Sequence, residues 1–389
     1  MNEMPEIFET AEIAGIQFKN RVLRSATMED GADEKGFPGD ALTKRYLALA
    51  YGGIGGIITG FMGVSAAGKS EQPGMVLLDE DDKIEPLRKI VDSVHEAGVP
   101  IIAQIAHCGK NGVGGKAFDV NKLSDAQLEE IVAQFIAAAI RAQKAGYDGV
   151  QIHFAHGYFL SEVISPATNH RKDKWGGNEE KRFYIAKRII DGIRSELPDY
   201  PIFVKMHGED GVKKGIHTEE SVRIAKRMEE AGVSAIEVST GISIMNGMGP
   251  LHGRIPAEMI LSWYPQMMKL PGFIKKMMKP VMPKMMKSVE PAPRRYNVPQ
   301  AKAIKKAVSI PVIVVGGIHD LDEIEQTIKE DHIDFVSMSR PLVLEPGLIG
   351  KYAQQKGTQA KCLECNHCII GISQGQLRCW YGKVPEVIK

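Results

Sequence analysis

One pattern constrains the fold more than any other: helical segments end at Ala-Gly, and an apolar, β-branched run follows at once. This junction leads into the runs Ile101–Ile105, Val150–Ile152 and Ala235–Val238. Glycine accepts the left-handed conformation just past a helix end, so each junction predicts a helix, a stop and a strand. The chain is therefore built from a repeated helix-then-strand unit.

Further apolar runs bring the number of predicted strands to eight: Arg21–Ser25, Ile54–Thr59, Pro201–Lys205, Pro311–Val315 and Asp334–Met338. Helical patterns lie between most of them, and the clearest runs from Ser124 to Ala145, where Ser124 and Gln127 have the spacing of a capping box. Eight alternating units predict an α/β fold of the (β/α)8 TIM barrel class. A doubly wound sheet is the alternative, but the Gly-x-Gly-x-x-Gly turn expected after its first strand is missing.

Two regions do not fit a plain barrel. Residues 242–296 interrupt the step between the sixth and seventh strands and hold 10 of the 18 methionines, together with repeated Lys and Pro. Four of the five cysteines fall within the last 28 positions. We therefore predict a barrel over residues 1–355, which includes the Met- and Lys-rich insertion, and a cysteine-rich metal-binding tail over residues 356–389.

The insertion has three interpretations. It can be a lid whose methionines pack on one another. It can form a wide substrate pocket, since methionine adapts to irregular apolar shapes. The third is a docking surface for a partner or a membrane, because the stretch from Lys269 to Lys287 is basic and amphipathic.

Charge and composition narrow the range of partners. Lys and Arg number 49 against 48 for Asp and Glu, so the formal net charge of +1 supplies no global field that would attract nucleic acid. No run approaches the roughly 18 uninterrupted apolar residues of a membrane span, and the N-terminus has no basic-then-apolar leader. We expect a cytoplasmic protein with no transmembrane segment and no nucleic-acid partner.

Polar side chains stand where the predicted strands end, which is where a barrel places its reactive groups. The fourth strand leads into His153, His156 and Tyr158, and the third into the run from Gln104 to Gly109. Two imidazoles three residues apart can present two hydrogen-bond donors to one oxygen, and preorganised donors stabilise charge that develops there. The pattern favours a catalytic site at this end of the barrel.

Several segments together resemble the Old Yellow Enzyme family of FMN-dependent NADH:flavin oxidoreductases: His153 to Arg182, Asn20-Arg21, Gln104 to Gly109, Gly316-Gly317 and Ser339-Arg340-Pro341. The resemblance covers nearly all of residues 5–350. It implies bound FMN and hydride transfer to the β-carbon of an α,β-unsaturated carbonyl compound. It also implies that His153 and His156 hold the substrate carbonyl and that Tyr158 donates a proton to the α-carbon.

The same resemblance assigns a flavin site. Lys205 matches the cation that faces N1 of the ring, where one charge at about 4 Å is worth roughly 4 kcal/mol at an effective dielectric near 20. Gln104 matches the side chain that reads the pyrimidine edge, and residues after the last two strands match the phosphate site common in such barrels. The residues implied to bind FMN are Ser25, Ala26, Thr27, Gly60, Gln104, Lys205, Gly316, Gly317, Ser339 and Arg340.

The tail cysteines are spaced to fold a loop of thiolates around one centre: Cys362, Cys365, Cys368 and Cys379. This spacing suits an iron-sulfur cluster or a tetrahedral zinc ion, and His367 is available to a zinc set. The tail resembles that of the family branch containing 2,4-dienoyl-CoA reductase and trimethylamine dehydrogenase, which implies a [4Fe-4S] cluster near FMN. Those larger relatives continue into a domain for FAD and a pyridine nucleotide, which we expect this chain to lack.

Three functions compete at this point. The first is an ene-reductase in which the cluster relays electrons. The second is an amine or demethylating dehydrogenase of the trimethylamine dehydrogenase kind, disfavoured because aromatic residues, which line cationic amine pockets, are only 6% of the chain. The third is an electron-transfer subunit that passes electrons between proteins. The electron donor is either NAD(P)H or a protein that docks near the cluster.

Overall fold

A computed structural model describes residues 6–242, 252–286 and 289–382. The ends of the predicted barrel and tail, residues 1–5 and 383–389, lie outside the described residues. So do residues 243–251 and 287–288 of the predicted insertion. Within the described ranges, no helix is both long and apolar enough to cross a membrane.

Eight parallel strands close into a barrel, because the first strand pairs with both the second and the eighth. In this register Leu23 lies opposite Gly56 on one side and Ser337 on the other. The predicted (β/α)8 class is confirmed. The strands, β1 to β8, are Val22–Arg24, Gly56–Ile58, Ile101–Ala106, Gly149–Phe154, Ile202–Glu209, Ala235–Thr240, Val312–Val315 and Phe335–Met338.

Helices cover the outside of the barrel, and their apolar faces form one core with the strands. The predicted junctions are confirmed, since Gly98, Gly146 and Gly232 follow three helix ends with φ of 71°, 91° and 96°. Ser124 and Gln127 form the predicted capping box. The barrel helices are Asp40–Tyr51, Ile84–Glu96, Asp125–Lys144, Phe159–Ile164, Glu179–Glu196, Thr218–Glu230, Val298–Lys305, Leu321–Glu325, Arg340–Leu344 and Leu348–Ala353.

The insertion between β6 and β7 packs against the cysteine-rich tail. Trp263 of the insertion and Trp380 of the tail meet edge to face with ring centroids 5.0 Å apart, inside an apolar cluster that also includes Ile370 and Met282. The insertion helices are Ala257–Trp263, Pro265–Met268, Gly272–Met278 and Met282–Met285, and the tail contains helix His367–Ile370 and the 3-10 turn Gly371–Gln374.

A short hairpin that the sequence did not predict packs at the opposite end of the barrel. Its strands, Ala11–Ile13 and Ile16–Phe18, pair antiparallel. Ile13, Ile16 and Phe18 join an apolar cluster with residues near the beginnings of the barrel strands, such as Phe335. That end of the barrel is therefore filled by apolar side chains, and polar chemistry is confined to the other end.

A buried ion pair fixes the loop that follows β1. Arg24 donates to Glu29 at 2.6 Å, and both side chains are almost fully buried. The Glu29 carboxylate also accepts a hydrogen bond of 2.5 Å from Tyr46, whose pKa is raised well above its ordinary value by burial and then by Glu29. This network ties the first helix to the rim of the barrel.

We expect Glu29→Gln to destabilise the fold by about 3 to 5 kcal/mol, because the buried Arg24 guanidinium loses its counter-charge. Urea unfolding followed by circular dichroism measures this loss. The matched control is Glu85→Gln, which breaks the exposed Arg88–Glu85 pair and should cost less than about 1 kcal/mol. Equal effects from the two variants would contradict the assignment of a structural role to Glu29.

Candidate active site

The carboxyl ends of the strands surround a cavity of about 1110 Å³, including its mouth. Of the residues that the sequence assigns to FMN or to catalysis, only Gly60 does not line it. Gly60 lies behind the wall, where its amide donates to Glu29 at 3.2 Å and a Cβ would lie 2.7 Å from the same carboxylate oxygen. The assigned residues that line the cavity are Ser25, Ala26, Thr27, Gln104, His153, His156, Tyr158, Lys205, Gly316, Gly317, Ser339 and Arg340.

A buried carboxylate, Glu237 on β6, organises the floor of this cavity. One oxygen accepts hydrogen bonds from the hydroxyls of Ser25 at 2.7 Å and Ser337 at 2.6 Å. The other accepts from Gln151 at 2.8 Å and lies 3.3 Å from the ammonium of Lys205. These four partners match the acceptor capacity of an ionised carboxylate.

The charge state of this floor follows from the same contacts. Burial acts to raise the pKa of Glu237, but Lys205 and the hydrogen bonds outweigh it, and the pKa lies below its ordinary value. Burial lowers the pKa of Lys205, and Glu237 opposes that shift. The ammonium also donates to Ser25 at 2.8 Å. The floor is therefore a buried ion pair with one side open to the cavity.

Glu237 also determines how Gln104 is oriented. An ionised carboxylate only accepts hydrogen bonds, so Gln151 must direct its amide nitrogen to Glu237 and its oxygen toward Gln104. Gln104 donates to that oxygen at 2.6 Å. The amide oxygen of Gln104 is thereby left as the group that can accept a hydrogen bond from a ligand.

His153, at the end of β4, is buried with an unused polar atom. Nδ1 has no hydrogen-bond partner among the residues that the structure describes. Burial lowers the pKa of His153 well below its ordinary value, and the neighbouring ammonium of Lys205 lowers it further. The ring is neutral at pH 7, and a buried polar atom in a cavity wall calls for a ligand partner.

His156 is held by a set of residues that sequence reasoning missed. Its backbone is left-handed, with φ of 65°, and its amide donates to Nε2 of His207 at 2.6 Å. Nδ1 of His207 must then carry the proton that it shares with Asp210 at 2.7 Å. Nε2 of the His156 ring lies 2.7 Å from the hydroxyl of Ser239. His156 is thus fixed through both its backbone and its ring.

Tyr158 completes a cluster of rings on one wall. Its ring centroid lies 5.4 Å from that of His153 and 5.2 Å from that of Phe61, and the two histidine rings are 5.1 Å apart. Burial raises the pKa of Tyr158, and Cys108 and Tyr264 add to the shift. The phenol therefore keeps its proton throughout the neutral range.

The opposite end of the cavity joins the tail. Arg340 donates to the carbonyl of His252 and to Asn366, both at 2.7 Å, and to Glu364 at 3.3 Å. A guanidinium has five N–H donors, so two remain for a ligand. The hydroxyls of Thr27 and Ser339 contact each other beside it. The predicted phosphate residues thus lie together, and two residues of the cysteine loop hold the arginine.

The four tail cysteines line a second, smaller cavity of about 370 Å³ beside Arg340. Glu364 and Asn366, on either side of Cys365, have left-handed backbones that curl the loop, with φ of 50° and 57°. Burial raises the pKa of Cys368 to about 12, so thiolates here require a bound cation. In the described part of the chain, no three His, Cys, Asp or Glu side chains lie close enough together to hold a single metal ion.

The sequence contains signals for some of the site residues that it was not used to predict. Glu237 and Gln151 are polar residues flanked by apolar residues in the buried part of their strands. Such residues are expensive to bury unless they are hydrogen-bonded, so they point to a polar cluster inside the barrel. His207 and Asp210 stand at the end of β5 in the same way. Their partners depend on strand register, which the sequence did not supply.

Comparisons with known proteins agree with this geometry. The NADH:flavin oxidoreductase / NADH oxidase family model matches residues 6–120 and 112–250, and the dihydrouridine synthase model matches 289–374. A 4,4'-dithiodibutanoate disulfide reductase of Rhodococcus erythropolis is 30% identical over 95% of this chain and 94% of its own length. An NADH oxidase of Thermoanaerobacter brockii is 29% identical over 95% of this chain, which spans only 54% of that relative.

A solved complex of 2-naphthoyl-CoA reductase has the same fold. Its TM-score is 0.74 at 24% identity, and the alignment covers 90% of this chain and 52% of the other. The matched family model, on this barrel fold, places the chain in the class of flavin-dependent barrel oxidoreductases. The chain belongs to the NADH:flavin oxidoreductase / NADH oxidase family, as its resemblance to Old Yellow Enzyme implied. It is an FMN-dependent oxidoreductase.

The depressed pKa of His153 predicts a pH dependence of stability. The unfolded chain binds a proton at this histidine below about pH 6.5, whereas the folded protein does not, so the free energy of unfolding should fall as the pH falls. His153 is expected to contribute about 1.4 kcal/mol per pH unit to that slope, and its contribution is complete above pH 6.5. Urea unfolding of the FMN-loaded protein between pH 5 and about 7 measures it.

His153→Gln should reduce that slope by the His153 contribution, because glutamine does not titrate, whereas His156, whose pKa is also lowered, keeps its own. The control is His217→Gln, whose exposed ring lies outside the cavity and whose loss should keep the wild-type slope. A wild-type slope in His153→Gln would contradict a buried neutral imidazole at this position.

Proposed function

We propose that this enzyme is an ene-reductase that saturates a C=C bond conjugated to a carbonyl group. The observation that carries the proposal is the presence of the His153, His156 and Tyr158 rings on the wall of the cavity whose floor contains Lys205 and Gln104. When bound and reduced, FMN supplies the hydride to the substrate's β-carbon. The remaining requirements fall to the protein.

The cavity fits FMN on three counts. Lys205 offers a buried ammonium to the pyrimidine end of the ring, and Gln104 offers an amide oxygen that accepts from an N–H. Arg340 retains two donors for a phosphate at the other end. Ala26, Met28 and Met338 add apolar surface between them. A flavin needs these three elements: a cation, an amide edge partner and a phosphate site.

The two histidines would hold the substrate carbonyl. Both imidazoles are neutral, because burial lowers the pKa of each well below its ordinary value. Each neutral ring keeps one N–H. In the tautomer in which the hydroxyl of Ser239 donates to Nε2 of His156, the pair would donate two hydrogen bonds to one oxygen without placing two cations together. Charge that develops on this oxygen is then met by donors that need not reorganise.

Tyr158 would donate the proton at the α-carbon. Its phenol is protonated, and no described residue shares a hydrogen bond with its oxygen, so the O–H is available to a ligand. A positioned general acid of this kind contributes roughly 10² to 10⁴ in rate. The ring contacts with Phe61 and His153 fix where the O–H can reach.

We expect the double variant His153→Ala, His156→Ala to lose about 10⁴-fold in the rate at which an unsaturated carbonyl reoxidises the reduced protein. The estimate takes about 10² from each lost donor. Anaerobic stopped-flow absorbance measures this rate. The flavin content of the variant should equal that of the wild type, because neither histidine belongs to the floor that contains Lys205 and Gln104.

The control for this variant is His217→Ala, which lies outside the cavity. The acceptor panel should include 4,4'-dithiodibutanoate, since a relative that matches nearly the whole chain is a reductase of that disulfide. Reduction of the disulfide but of no unsaturated carbonyl would replace the proposal with disulfide cleavage at the same site. Full turnover by the double variant would favour an electron-transfer subunit.

An amine dehydrogenase is less compatible with this cavity. With FMN on Lys205 and Arg340, the two neutral imidazoles that face a substrate add no negative charge. A cationic amine is held by a carboxylate or by an aromatic cage, whereas Phe61 and Tyr158 lie together on one wall. The carboxylate of Glu237 is instead consumed by four partners in the floor.

We further propose that the tail holds a [4Fe-4S] cluster. A tetrahedral zinc ion with bonds of about 2.3 Å requires four sulfurs packed tightly around one point, whereas a cubane offers a separate iron to each thiolate and suits a wider set. The four cysteines share one cavity, which Arg340 also lines, so a cluster there would lie next to the proposed phosphate end of the flavin site. Electrons would reach FMN either directly from NAD(P)H as hydride, or one at a time through the cluster from a donor protein that docks near it.

Cys365→Ser should reduce bound iron and sulfide to background in anaerobically purified protein. The matched control is Cys108→Ser, because Cys108 is buried in the barrel and does not line the cysteine cavity. Iron, sulfide and zinc analysis of both variants tests the expectation. Zinc at one equivalent in the wild type, lost in Cys365→Ser, would support the zinc alternative and overturn the cluster.

A further inference from the structure

A stripe of exposed apolar side chains runs along the insertion. Its members recur every four residues. Phe273 and Met277 share one side of the helix Gly272–Met278, and Val281 and Met285 are likewise one turn apart at the helix Met282–Met285. Each is between 46% and 71% exposed, and together they make up half of the large apolar side chains that are exposed in the described chain. The stripe consists of Phe273, Met277, Val281, Met285 and Val289.

A second apolar stripe, one position further on, packs against the protein. Met282 is buried in the cluster that contains Trp263 and Trp380, and Met278 and Met286 pack partly against that cluster. The segment thus carries more apolar side chains than it buries against the rest of the protein. The outer stripe is a second face, and within the described chain no element covers it.

Positive charges predominate along this outer face, which ends at Val289 beside Glu290. Between Glu258 and Glu290 the sequence contains six lysines and no Asp or Glu, although the whole chain has a net charge of only +1. Of the lysines that the structure describes here, only Lys279 pairs with a carboxylate, that of Glu258. Lys269, Lys276 and Lys284 are exposed to solvent. The face is therefore apolar at its centre and basic at its margin.

We propose that this face docks on an anionic lipid surface. Amphipathic helices that lie in a membrane interface combine a Phe- or Leu-bearing apolar face with a lysine-rich margin, as this segment does. Protein–protein interfaces are depleted in lysine and fix their register with groups of both signs, and this stretch has lysines but no acidic residues. Charge complementarity therefore favours a bilayer over an acidic protein.

The position of the insertion gives this docking a consequence for the enzyme. Tyr264, in the same insertion, lies close enough to Tyr158 to add to the rise in its pKa that burial begins. The insertion therefore stands beside the catalytic cavity. Docking would bring the open end of the barrel to the membrane, where apolar acceptors concentrate.

Co-sedimentation of the FMN-loaded protein with vesicles tests the proposal. We expect binding to phosphatidylcholine vesicles that contain phosphatidylglycerol, and little binding to phosphatidylcholine alone. Lys276→Gln with Lys284→Gln should weaken binding about 30-fold, from about 1 kcal/mol for each lysine near an anionic surface. Phe273→Ser with Met277→Ser should weaken vesicle binding by about tenfold or more, because less apolar surface is buried in the bilayer.

The matched control is Lys213→Gln with Lys214→Gln, which removes the same charge from an exposed loop after β5 and should leave binding unchanged. Flavin content and turnover of a water-soluble acceptor should be normal in all these variants, so a loss of vesicle binding cannot arise from misfolding. Absence of vesicle binding, or equal loss in the control, would overturn the proposal. Binding of a soluble acidic electron carrier through Lys276 and Lys284, without vesicle binding, would replace the membrane with a protein partner.

Discussion

One buried carboxylate sets the constraint on which the site depends. Glu237 lies inside the barrel, where an unpaired charge would be prohibitively costly, and four neighbours pair with it completely. This pairing stabilises the Lys205 ammonium and engages the hydroxyl proton of Ser25 in a hydrogen bond. Through Gln151, it also leaves the amide oxygen of Gln104 to accept a hydrogen bond from a ligand. Four strands, which carry Gln104, Gln151, Lys205 and Ser337, and the loop with Ser25 are thereby oriented around a residue that does not itself line the cavity.

The sequence could predict the barrel and most of the cavity wall for a simple physical reason. Parallel strands in a closed barrel place their carboxyl ends at one rim, so residues as distant as Ser25 and Arg340 must converge once the strands are found. Gly60 also stands near the carboxyl end of a strand, β2, but it contacts Glu29 and does not line the cavity. What the sequence could not supply was pairing across the barrel: Gln151 with Glu237, or His207 with the amide of His156, depends on register and on side-chain direction.

The tail and the insertion depend on each other. Glu364 and Asn366 of the cysteine loop hold Arg340, so the loop and the proposed phosphate end of the flavin cavity form one unit. The insertion covers the other side of the tail through Trp263 and Trp380. Neither contact could be read from composition, because the methionine-rich segment predicts adaptable packing without naming its partner.

The most direct test of the account is to reduce the purified protein anaerobically, add an α,β-unsaturated carbonyl compound and follow the visible flavin absorbance. The account predicts that the oxidised flavin band returns and that one saturated product forms for each flavin. If the flavin stays reduced with every such acceptor while oxygen still reoxidises it, the histidine pair does not activate a carbonyl and the central claim is wrong.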